Sequence, residues 1–415
     1  MRVRVFALLS VLLVAGAGQL LAVTIIECNV PSGNFVDVPW GIVAGPDGNV
    51  WFTNRDAHRL GRIDVQCNSF TYFLLPQPNP NFTQAANGIT VGVDGKLWIA
   101  AENAIGNPNL IVQSTVAGVM SGFEVRGGLF GITSGPDGNL WFPQIANNTI
   151  GVMNTAGVLI HQFPIPTPNA YPFGIAVGPD GNLWFTETFG NNIGRITPGG
   201  VVTEFGIPTF NSAVHWIARG SDGNMWFTEN SGNKIGSITM NGVITEFPIP
   251  TPIAHPEQIT IGPDLAMWFT ESSGNANKIA RVTTNGVFTE YLVPTPLAAP
   301  YGIAFGPDGN IWFTESGNTK KVGKLIPDAQ PPSMSALRHK VTSLRIPTGL
   351  ADSLLSKLDA ADAALQRGNT NAACGQLRAF INEVSAQSGR GRPISAADGA
   401  DLINTAQDIR SSLNC

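Results

Sequence analysis

Residues able to move a proton or hold a cation gather in one region of this chain. His255 and Glu257 flank a proline, Glu271 follows on the next segment, and His215 stands at the matching place one repeat earlier. Two carboxylates and an imidazole projected into one space suit a hard divalent cation held through oxygen beside a nitrogen base. Metal-assisted proton abstraction needs that arrangement. His255 and His215 are therefore the candidate catalytic imidazoles, and Glu257 and Glu271 the candidate metal ligands. Residues 255 and 257 are expected to lean to the same face, because side chains alternate along a strand. The competing reading makes these residues a polar lining of a solvent-filled channel, with Glu271 one of four successive repeat glutamates that bond backbone N–H groups.

A repeat must position them. Gly-Pro-Asp-Gly-Asn turns or close variants precede Trp51, Trp98, Trp141, Trp184, Trp226, Trp268 and Trp312, at spacings of 42 to 47 residues. That period belongs to propellers of four-stranded blades. The fourth unit reads as an apolar inner strand from Gly174, a Pro179-Asp180-Gly181 turn, a second strand to Glu187, a third from Ile193 and an outer strand from Val201. The predicted fold is an all-β seven-bladed propeller over 23–328. Its seventh unit lacks an outer strand, and Val23–Pro31 resembles one, with Glu27 matching Glu246. The N-terminal segment is expected to complete the ring, leaving no open seam. Around the channel, one position per blade gives Trp40, Asn87, Phe130, Phe173, His215, Glu257 and Tyr301. Trp40, Phe130, Phe173, His215 and Tyr301 are the candidate substrate contacts.

Composition narrows the function classes. Only 13% of 415 residues are charged and the net charge is -5, which excludes a basic nucleic-acid binder. Two arginines ahead of an apolar stretch and small residues make 1–22 a signal peptide, with an uncleaved anchor as the alternative. The expected location is secreted or periplasmic. Cys28, Cys67, Cys374 and Cys415 allow three pairings; Cys28–Cys67 and Cys374–Cys415 are preferred because each stays within one domain. After a linker at 329–334, leucines at helical spacing predict a small α-helical domain over 335–415, with Ser395 and Asp398 in a capping arrangement before its last helix.

The runs GPDGNLWFTE, NNIGRITPGG and TEFPIPTPNA resemble the streptogramin B lyases, also called virginiamycin B lyases, over residues 24 to 327. The resemblance implies a seven-bladed propeller that opens the ester of a cyclic depsipeptide by a magnesium-dependent elimination, breaking the C–O bond without water. It implies a substrate-side histidine at His215 and a metal-binding glutamate at or beside Glu271. The family order Glu-x-His is exchanged here to His255-Pro256-Glu257, so base and metal ligand would swap places. Tyr301-Gly302-Ile303 resembles a family Tyr-Gly-Ile start, though blade one carries Trp40. The run AACGQLRAFINEVSAQSG resembles the FIMAH-type helical domain, which implies attachment to a protein or surface partner and no chemistry. Two function classes follow: a metal-dependent C–O lyase acting on a small-molecule or peptide ligand in the pore, or a non-catalytic binding propeller in which the aromatic half-ring grips the ligand. A lactonase-like hydrolase of the same topology lacks an aspartate-rich calcium ring in this sequence. The chain is expected to be a monomer.

Overall fold

The computed structural model describes residues 23–30, 38–76, 84–103, 109–317, 320–327, 334–344, 346–366, 369–389, 391–413 and 415. The expected signal peptide and most of the linker lie outside them. Among the described residues, no helix is long and apolar enough to cross a membrane. The chain divides into two compact units, one ending at Ile326 and one spanning Pro327–Cys415.

Seven four-stranded antiparallel sheets make up the first unit, six of them in simple chain order. The seventh borrows its outer strand: Thr24–Asn29 pairs antiparallel with Lys321–Ile326, in the register Thr24 to Ile326 and Asn29 to Lys321. Glu27 then does what other outer-strand glutamates do. The amides and hydroxyls of Thr167 and Thr251 donate to Glu204 and Glu290 of the next blade, and Thr295 donates in the same way to Glu27. The N-terminal strand therefore closes the ring by the contacts that join one blade to the next. The Cys28–Cys67 disulfide ties that strand to blade one.

The core lies between blades. All seven second-strand tryptophans are at most 1% exposed, and Trp226 of blade five packs with Ile259 and Phe269 of blade six. Each indole N–H donates to the aspartate of its own turn, from Trp51 to Asp47 at 2.9 Å through Trp312 to Asp308 at 2.8 Å. That bond explains the Asp-to-Trp spacing, since a buried indole donor without a partner costs free energy.

One turn departs from this pattern. Six turns have glycine at φ between 70° and 79°, whereas blade six has Leu265 at φ 62°. A side chain there costs ~1–2 kcal/mol, partly offset because glycine loses more freedom on folding. Leu265→Gly is expected to raise unfolding free energy by about 1 kcal/mol, measured by urea denaturation. An unchanged or lower midpoint would show that the leucine side chain contributes more than its backbone strain costs.

Among its described residues the second unit has four helices: α1 (Met334–Ser343), α2 (Thr348–Gln366), α3 (Thr370–Gln387) and α4 (Ala396–Ser412). Sequence periodicity indicated the last three and missed α1. Leu337, Leu354, Leu358, Leu377, Phe380, Leu402 and Ile409 share one buried core. Ser395 accepts from the Asp398 amide at 3.1 Å, so the predicted cap forms, and Cys374 bonds Cys415.

Candidate functional site

At the start of five inner strands, blades pack too closely for a side chain after the ring residue. A Cβ on Gly174 would lie 2.6 Å from the His215 carbonyl oxygen, and one on Gly302 would lie 2.1 Å from that of Trp40. Glycine therefore follows the ring residue in five blades, and blades five and six depart from it with Trp216 and Gln258. The ring side chains stack in two runs. Trp40 lies on Tyr301 with centroids 3.5 Å apart, while Phe130, Phe173 and His215 stack in sequence at 4.4 and 4.9 Å. Phe173 and Tyr301 are each 6% exposed, so the aromatic half-ring is more packed than a grip of free side chains.

His215 leads into the polar part. Its Nδ1 lies 2.9 Å from Glu257 Oε2. The other carboxylate oxygen accepts from Asn230 Nδ2 at 2.9 Å. Asn230 Oδ1 lies 3.0 Å from His255 Nδ1. The structure thus brings His215, Glu257 and His255 together, with Asn230 between the last two. The alternation argument for residues 255 and 257 does not hold, because His255 precedes the strand Pro256–Ile261 and has φ 49°. It reaches the cluster from a left-handed turn.

Glu271 is elsewhere. It ends the second strand of blade six, fully buried, with its carboxyl beside that of Glu290. Burial, reinforced by the charge of Glu290 and opposed by Lys278, pushes its carboxyl up to about 8. Glu187 and Glu229 occupy the equivalent place, and burial pushes each up to about 8 as well. Glu271 is thus a repeat feature, and burial keeps it largely protonated.

These residues do not fit the expected magnesium ion. Both oxygens of Glu257 are engaged by neighbours, Glu271 lies in the buried inter-blade layer, and no group of three or more His, Cys, Asp or Glu among the described residues is placed to hold a metal.

Sequence reasoning missed three contributors. Trp216 packs edge-on against Phe173 at 5.5 Å, and its indole N–H donates to the Tyr301 hydroxyl at 3.4 Å, spanning from blade four to blade seven. Its signal was a tryptophan where five blades have glycine. Arg55 sits 4.6 Å over the Trp40 ring and brings a cation to the Trp40–Tyr301 stack. Burial, then the charge of Glu257, keeps Tyr301 well above the usual phenol range, hence neutral. Asn230 is the third.

A repeat-built propeller with one polar, histidine-bearing arc in its ring defines the class. The virginiamycin B lyase family model matches residues 78–335 and 255–363, and the FIMAH domain model matches 332–411. The chain belongs to the virginiamycin B lyase family. A streptogramin B lyase structure is 35% identical with a TM-score of 0.65, covering 74% of this chain and 98% of its own. Virginiamycin B lyase from Staphylococcus aureus, solved as a catalytically inactive histidine-to-alanine variant with quinupristin, is 36% identical with a TM-score of 0.65, covering 73% and 99%. No curated protein matches.

Proposed function

We propose that this chain opens an ester or lactone ring of a cyclic depsipeptide or similar molecule by elimination, with His215 as the base. The 2.9 Å contact between His215 Nδ1 and Glu257 carries the reading. An ionised carboxylate only accepts, so in the neutral ring Nδ1 holds the proton and Nε2 keeps its lone pair, and the negative partner stabilises the imidazolium once formed. Nε2 removes the hydrogen α to a carbonyl. The C–H electron pair becomes a carbon–carbon double bond, the β C–O bond breaks, and its electrons leave on the ester carboxylate. Arg55 offers positive charge to that leaving group, and the neutral Tyr301 hydroxyl is a further hydrogen-bonding group. No water is consumed.

The test incubates purified protein with quinupristin, with and without magnesium, because family membership implies the ion and the described residues offer it no three-ligand set. The expected product is linear and of unchanged mass. A product heavier by one water would make the protein a hydrolase, and an intact ring in both conditions would overturn the reaction. A binding propeller is the second reading, favoured by the engagement of both Glu257 oxygens and by the lack of a three-ligand metal set among the described residues. Quinupristin bound but unchanged would support it.

Export is part of the proposal. It is supported by the N-terminal sequence and by the two disulfides, which persist in oxidising compartments. The helical unit is proposed as an attachment module and the protein as a monomer.

A further inference from the structure

We infer that Asn230 is a positioning residue that sets the tautomer of His255 and braces the carboxylate that orients His215; its catalytic meaning rests on the elimination proposed above. In blade four the Thr188 hydroxyl donates to the carbonyl of Val214, and in blade seven the Ser316 hydroxyl donates to that of Pro39, each the residue before the next blade's ring position. Asn230 makes the same staple to the Pro256 carbonyl, at 3.3 Å. A hydroxyl suffices for that role. Blade five has an amide instead, and the additional atoms reach Glu257 and His255.

The amide can lie only one way round. The Pro256 carbonyl and the Glu257 carboxylate are both acceptors, so the group facing them must be the NH2. Asn230 Oδ1 then faces His255 Nδ1, and two acceptors cannot bond, so in the neutral ring Nδ1 carries the proton and Nε2 is bare. Glu257 imposes the same state on His215. One asparagine and one glutamate thereby hold two imidazoles in the Nδ1–H form, against the preference of an unconstrained histidine for Nε2–H.

Asn230→Ser and Asn230→Thr keep the hydroxyl staple and remove the rest. With ¹⁵N-labelled histidine, at a pH where both rings are neutral, NMR of the wild type should give Nδ1–H signatures for His215 and His255. In the variants His255 should move to Nε2–H while the thermal midpoint stays within the wild-type range. For quinupristin, kcat should fall on the order of 10²-fold with KM kept, the cost of misplacing a reacting group by about an ångström. His255 in the Nε2–H form in the wild type, or unmoved in both variants, would overturn the inference. Wild-type protein inert towards quinupristin would defeat the elimination instead, and the tautomer signals would still decide the role of Asn230.

Discussion

Replacing His215 by alanine is expected to lower kcat for ring opening by ~10²- to 10⁴-fold, the usual contribution of a positioned base. Glu257→Gln should approach the same loss. A neutral amide can donate to Nδ1 and so hold the imidazole in the wrong tautomer, and neutralising the orienting aspartate of a serine-protease triad costs ~10⁴ for that reason. His255→Ala should cost less, because His255 is linked to the Glu257 carboxylate only through Asn230. The measurement is kcat and KM for quinupristin with thermal midpoints as the folding control. His215 is partly exposed, with 21% of its side chain accessible, so its truncation should leave the fold intact. Activity that survives His215→Ala and vanishes with His255→Ala would move the base to blade six.

Propeller stability is expected to fall as pH rises from about 5 to 9. Glu187, Glu229 and Glu271 ordinarily ionise near 4.5, and burial pushes each to about 8 in the fold. Between those values the folded state holds protons that the unfolded chain has released. Their contribution is fully present below 4.5 and is lost as pH climbs through about 8, with a slope of up to ~1.4 kcal/mol per pH unit for each group. Glu246 and Glu290 act in a separate window. Burial alone would raise them, but bonds from Lys234 and Lys278 bring both below their ordinary value, so their contribution is lost only as pH falls through the acid range. Urea midpoints at pH 5, 7 and 9 should decline for the wild type and decline less steeply for Glu271→Gln, which cannot ionise. A flat or rising wild-type profile would mean that the inner glutamates stay charged in the fold, Glu229 and Glu271 through Lys234 and Lys278.

The sequence by itself determined the blade count, the closing strand and the membership of the ring; it preferred the two disulfides that form but left three pairings open. Each of these depends on a period or a local rule. Trp51 through Trp312 mark one position in every blade, Glu27 stands where Glu246 does, and the composition changes after the seventh unit. It also found His215, Glu257 and His255, because they interrupt the repeat. Only the tertiary structure decided which of them meet. Glu271 and Glu257 lie on neighbouring strands of one blade, yet Glu271 is buried beside Glu290 and Lys278 while Glu257 meets His215 of the blade before. Asn230 lies one residue after a repeat glutamate, and nothing local sets it apart from the serine or threonine found there in three other blades. Contacts between blades depend on the angle at which adjacent sheets meet and on backbones close enough to exclude a Cβ. A one-dimensional repeat encodes each blade and leaves those contacts to the closed ring.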